Sequence, residues 1–350
     1  MSAAATEYSR QIPIVCPGHT RPLADLQSFF VPEEKRSFLV SACHDKQPML
    51  RDGVTGDWIG TFSGHKGAVW SCRVDPTGNL AATAGGDFSV KLWDAITGAT
   101  LRTWQHAHIV KAVAFPPAAR WLATGGHEGL VRLYDLTAMG ADGTSIGGDE
   151  PVCQIPQLPQ QEDEGSNSKS PSVVITKLIW HSDSRLWVGC SDGTLRLWNV
   201  PNDTTANPPT LVQTLTTAAG QEIRDMEVRE NLPDGSTRLT VAAGNAVYFY
   251  RYQAADGMWK FLKSIATPVH FAEEGGVSLH PAGHVFAVGG SALWVHVFDY
   301  ETEQELDCLK GHHGPIRCVR YMEPDGNLFA TGSEDGTIRL WKNQYPPKTA

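Results

Sequence analysis

The chain has 350 residues, 41% of them apolar and 19% charged, with a formal net charge of −9. That balance is enough for a large core and excludes disordered and fibrous chains; the acidic total argues against a broad basic nucleic-acid face. Met1 to Glu7 shows no basic start followed by an apolar run, and no stretch approaches a membrane span, so neither export nor membrane insertion is expected.

In chain order, the first element is Arg10-Gln11-Ile12-Pro13-Ile14-Val15-Cys16, followed by Gly18-His19. It stands where Trp58-Ile59-Gly60-Thr61-Phe62 precedes Gly64-His65. From Gly64-His65 the chain runs to Asp87 and Lys91-Leu92-Trp93-Asp94, and the phrase returns as Gly311-His312, Asp335-Gly336 and Arg339-Leu340-Trp341. His and Trp are 28 residues apart in the first copy and 29 in the second. This is the signature of a WD repeat, in which each unit of about 40 to 45 residues is one four-stranded blade of a β-propeller.

Unit ends fall at Asp52, Asp94, Asp135, Asn199, Arg251, Asp299 and Lys342, a spacing of 41 to 52 residues except for 64 between Asp135 and Asn199. Seven blades fit. The long gap holds an acidic insertion, 137–171, expected to be flexible, within which Val152 to Leu158 can still supply the outer strand of blade 3. Blade 5 lacks both Gly-His and Trp-Asp, yet Glu222 to Val228, Arg238 to Ala243 and Ala246 to Tyr252 read as strands. After Trp341 comes Pro346-Pro347, which cannot form a central strand. Residues 10–16 are therefore expected to complete blade 7 and close the ring, making residues 1–350 one all-β, seven-bladed propeller.

The well-kept units repeat a His, a hydroxyl, an Asp and an aromatic: His65, Thr83, Asp87 and Trp93 in blade 2; His312, Thr331, Asp335 and Trp341 in blade 7. Blade 1 has His19, Ser41 and Asp45 with Arg51 in the Trp place; blade 3 has His106, Thr124, Glu128 and Tyr134; blade 4 keeps Asp192 and Trp198. A His, an Asp and a hydroxyl invite a catalytic reading, but a catalytic group is needed once. A set recurring at fixed register is expected to satisfy itself inside each blade, where an orphaned polar group costs about 1 to 3 kcal/mol. No phosphate loop, dinucleotide fingerprint or paired metal ligands appear, so neither enzyme activity, cofactor, metal nor small-molecule substrate is expected. The seven cysteines are scattered, as reduced thiols of a cytoplasmic protein with access to the nucleus would be.

One rim of a propeller is formed by the residues that open each inner strand and by the turns before each blade Asp. Those places hold Trp70, Lys111, Arg224, Arg317, His44, His127 and Glu334, the first four being the expected partner contacts because an aromatic beside cations is enriched at interface hot spots.

Pro48-Met49-Leu50-Arg51-Asp52-Gly53-Val54-Thr55-Gly56-Asp57-Trp58, followed by Gly64-His65-Lys66-Gly67-Ala68-Val69-Trp70, resembles the serine/threonine kinase receptor-associated protein (unr-interacting protein) family. Gly18-His19-Thr20-Arg21-Pro22, His108-Ile109-Val110-Lys111, Ser278-Leu279-His280-Pro281 and Gly311 through Thr337 fit the same family. The resemblance implies a protein-binding adaptor of the survival-of-motor-neuron complex, with Gemin and other ribonucleoprotein-associated partners, in spliceosomal ribonucleoprotein assembly. In animals it also implies engagement of TGF-β receptors. Animal members carry an acidic tail after the last blade and a shorter mid-chain insertion. The WD-repeat subunit of translation initiation factor 3 is a second resemblance, and a rim that binds RNA directly, with Trp70 on a base and Lys111 and Arg317 on phosphates, is a third reading.

Overall fold

The computed structural model describes residues 11–137, 146–157, 173–204, 206–217, 220–271 and 275–347. Its strands form seven antiparallel sheets in chain order. Blade 1 spans Leu23 to Thr61, blade 2 Val69 to Gln105, blade 3 Val110 to Pro156, blade 4 Ile175 to Thr216, blade 5 Ile223 to Phe271 and blade 6 Gly276 to Leu309. Blade 7 takes Ile316–Tyr321, Leu328–Ser333 and Ile338–Lys342 from the C-terminal end and Ile14–Cys16 from the N-terminal end.

That last pairing closes the ring, with Ile14 opposite Leu340 and Cys16 opposite Ile338. The closing strand is shorter than the expected 10–16. Pro13 has no N–H to offer a ladder, so pairing begins one residue later, and Gln11 instead accepts the Lys342 amide through its side chain at 3.2 Å. Buried Cys16, Ile338 and Leu340 then share one apolar cluster with Leu23, Leu26 and Leu39 of blade 1. The other clusters join neighbours in the same way: Val40 and Ala42 of blade 1 lie with Val69, Cys72 and Trp93 of blade 2. Each blade thus buries its faces against the next, and burying one such aliphatic side chain fully is worth about 1.5 to 3 kcal/mol.

Blade 5 forms despite its missing signature. Arg238–Gln253 is continuous, but Gly244 sits at φ +63°, so the chain doubles back and Tyr252 N–H donates to Thr237 O at 3.0 Å. Residues before Gly244 pair with the inner strand and those after it with the outer one.

Part of the insertion departs from the flexible-loop expectation. The Trp104 indole N–H donates to Gly148 O at 2.8 Å, Arg102 pairs with Asp149, and Ile146 packs beside Trp104 and Leu136. Residues 146–149 are therefore docked, and Cys153–Pro156 supplies the outer strand of blade 3. Residues 138–145 and 158–171 lie outside the described residues.

Candidate functional site: blade networks, an axial charge belt and the upper rim

In blade 2 the Trp93 indole N–H donates to Thr83 Oγ1 at 2.8 Å, and Thr83 lies 2.7 Å from His65 Nε2. The other ring nitrogen of His65 lies 3.0 Å from Asp87. Blade 7 repeats the chain with Trp341 to Thr331 at 2.9 Å, Thr331 to His312 at 2.8 Å and His312 to Asp335 at 3.0 Å. The Asp contact sets which ring nitrogen carries the hydrogen. The ionised Asp can only accept, so Nδ1 carries the hydrogen that meets it; in a neutral ring Nε2 is then a bare acceptor, and the hydroxyl that accepts from the indole donates to it. Both histidines are neutral. Burial, outweighing the nearby Asp335 carboxylate, pushes His312 down to about 4 and also lowers His65. Burial opposes ionisation of Asp335 too, yet hydrogen bonds from the His313 amide and Thr337 hold it down at about 2.

The other blades carry partial versions. In blade 1, His19 meets Ser41 and Asp45, each at 2.8 Å, while buried Arg51 fills the Trp place and donates to Pro17 O and to Gly56 O. In blade 3, His106 reaches Thr124 at 3.4 Å and Tyr134 at 3.5 Å, but Glu128 lies 3.7 Å away and turns to Arg132 at 2.6 Å. Blade 4 corrects an expectation: Asp192 pairs with Arg196 at 2.7 Å, and the Trp198 indole N–H has no hydrogen-bond partner among the described residues. Without a His or a hydroxyl at the matching places, the two ends of the network have nothing to join them.

A second constellation lies on the axis, and sequence reasoning missed it. Asp25, fully buried, accepts from Ser71 at 2.9 Å, Arg73 at 2.5 Å and Lys177 at 3.3 Å. Arg320 forks onto Asp225 at 2.6 and 2.7 Å. Glu227 accepts from Ser278, the Leu279 amide and Arg229, which also reaches Glu323 at 2.7 Å. Although burial favours its neutral form, Asp25 is held well below the usual range by Arg73, Lys177 and Arg320. Burial raises Glu227 despite Arg229 and Arg320. Apart from Glu323, these side chains come from the innermost strands of blades 1, 2, 4, 5, 6 and 7 and tie them across the channel; below them opens a cavity of about 360 Å³ lined by Phe30, Phe115, Trp180, Arg229 and Glu323. Alternation is the signal that could have found the belt, as in Asp225, Glu227 and Arg229, charged residues at every second place of one strand and all buried.

Two groups bring His, carboxylate and thiol together within 4.8 Å: His19, Cys43 and Asp45, and His296, Glu305 and Cys308. In both the His already bonds the carboxylate, and burial pushes the thiols up, Cys43 to about 12, so the sulfur keeps its proton.

At the upper mouth of the channel, Ala24, Trp70, Lys111, Thr176 and Arg224 line one depression. Trp70 is half-buried, not freely exposed: its ring meets the edge of His44 at 4.5 Å and carries the Lys111 ammonium 4.8 Å above it. Arg317 donates to Glu334 at 2.6 Å and Arg224 pairs with Glu222 at 2.9 Å. Burial, then Arg317, pushes His44 down to about 4. His127 stands further out, stacked on His108 at 4.9 Å. Of the seven rim residues, Trp70, Lys111 and Arg224 line the depression; His44 touches Trp70, Arg317 and Glu334 pair with each other, and His127 stacks on His108.

The WD domain, G-beta repeat family matches residues 56–94, 98–135, 164–199 and 303–342. Serine-threonine kinase receptor-associated protein of Homo sapiens is 38% identical over 95% of this chain and 83% of its own length. The protein of the same name from Dictyostelium discoideum is 38% identical over 94% of this chain and 98% of its own. Eukaryotic translation initiation factor 3 subunit I of Culex quinquefasciatus is 25% identical over 94% of this chain. With that identity spread along the whole ring, the chain belongs to the serine-threonine kinase receptor-associated protein family of WD-repeat propellers.

Proposed function

We propose that the chain is a non-enzymatic adaptor that holds proteins of a ribonucleoprotein assembly, of the survival-of-motor-neuron and Gemin type, during spliceosomal particle maturation in the cytoplasm and nucleus. The observation that carries it is the 38% identity over 95% of the chain to proteins named as receptor-associated, combined with a rim where Trp70, Lys111 and Arg224 line one depression. An adaptor needs a rigid platform with an aromatic and cationic centre, and the belt beneath supplies the rigidity. The polar sets inside the blades satisfy one another, which supports a role in folding over one in catalysis.

Affinity purification of tagged chain with mass spectrometry tests the reading. Gemin-like and Sm proteins are expected, and Trp70→Ala with Arg317→Ala is expected to abolish their capture with the melting curve unchanged. Recovery of initiation-factor subunits instead would favour the second resemblance, supported by the 25% identity to subunit I. Direct, steeply salt-dependent binding of RNA would favour a nucleic-acid rim.

A further inference from the structure

The turns that carry the blade acids end in glycine with positive φ in three blades: Gly129 at +69°, Gly193 at +79° and Gly336 at +76°. Blade 2 places Phe88 there at φ +65°, and blade 1 places Lys46 at +72°. A bulky aromatic in the left-handed region is strained, and Phe88 is the one large apolar residue so placed among the described residues. Its ring is not driven there by burial, since it is 39% exposed. Instead it stacks on exposed His108 at 5.5 Å, which stacks in turn on His127 at 4.9 Å. Backbone strain spent on an exposed ring points to a use outside the fold.

The charge around this ladder is sorted by depth. The carboxylates of the same turns face inward, Asp45 to His19, Asp87 to His65 and Glu128 to Arg132. Outward stand Lys46 and Lys66, both exposed, with Lys111 over Trp70 alongside. Asp87 keeps its charge beside neutral His65 but is turned in, so what this sector over blades 1 to 3 shows outward is lysine and aromatic side chains.

We infer that this sector, with Phe88 as its anchor, docks an extended acidic segment of a partner protein that carries aromatic side chains. Ring faces take the aromatic groups, and the lysines take the carboxylates. The inference rests on the reading of the chain as a docking platform and adds the chemistry of what docks.

The probe is a fluorescein-labelled glutamate–tyrosine copolymer, with polyglutamate and oligouridylate as comparators, titrated against the full chain. The copolymer is expected to bind at least ten-fold more tightly than polyglutamate, and to weaken with salt. Phe88→Gly is expected to lower copolymer affinity at least ten-fold while its melting temperature holds or rises, because glycine relieves the turn. Lys46→Glu with Lys66→Glu is expected to flatten the salt dependence. Retained affinity in Phe88→Gly, equal binding of polyglutamate, or preference for oligouridylate would each overturn the inference. If the copolymer fails while Gemin-like proteins are still captured, only this inference falls; if it binds while no such proteins are captured, the assembly assignment falls.

Discussion

Replacing Thr331 by Val keeps the side-chain shape and removes one oxygen at the centre of the blade 7 network. Thr331 is fully buried, accepts from Trp341 at 2.9 Å and donates to His312 at 2.8 Å. The change leaves an indole N–H and an imidazole nitrogen without partners, each costing about 1 to 3 kcal/mol, so about 2 to 6 kcal/mol is expected. Trp341→Phe removes one of those two groups together with some packing. In the double variant the indole orphan no longer exists, and its cost of about 1 to 3 kcal/mol is not paid twice. Urea unfolding followed by far-ultraviolet circular dichroism measures all three variants at constant m-value. Loss under about 0.5 kcal/mol for Thr331→Val, or strict additivity in the cycle, would refute a linked network.

Asp225→Ala should destabilise by about 3 to 5 kcal/mol, since it strands the buried Arg320 guanidinium; Asp225→Leu with Arg320→Met should recover most of that in the same urea assay. Stability should fall as pH drops from 6.5 toward 4. His312 stays neutral in the fold to about 4 against an ordinary 6.5, so the unfolded chain binds the extra proton across that window, at about 1.4 kcal/mol per pH unit. Asp335, held at about 2 against an ordinary 3.8, should add a further loss below pH 4; a urea midpoint that does not move between pH 7 and 5 would contradict the histidine part. Deleting residues 1–16 should lower the melting temperature by at least about 5 °C, because it uncovers Ile338 and Leu340, and an unchanged melting curve would mean that the Ile14–Cys16 strand does not close the ring.

The blades were legible because most bury an aromatic residue at one register, which leaves Trp93, Tyr134, Phe298 and Trp341 as regular marks, with Arg51 in that place in blade 1. Closure was legible because the C-terminal end supplies three strands to blade 7 and Pro346-Pro347 cannot supply a fourth. The axial belt was not legible, since its pairs are remote: Asp25 with Arg73 is 48 residues apart and Asp225 with Arg320 is 95. Nor was the docking of 146–149, where Gly148 offers only a backbone oxygen to Trp104. Trp198 misled because a Trp at the right place carries no network without a hydroxyl to receive its N–H. For Trp70 the sequence placed the residue on the rim but could not show that His44 and Lys111 half-cover it.

Hydrogen exchange on the complex captured by tagged full-length chain tests the docking platform most directly. Slowed exchange is expected at the upper turns around residues 44–47, 66–70, 86–89, 108–111 and 313–317, with the turns at the other end of the channel unchanged. Protection confined to that opposite end, or to the outer strands of the ring, would contradict it.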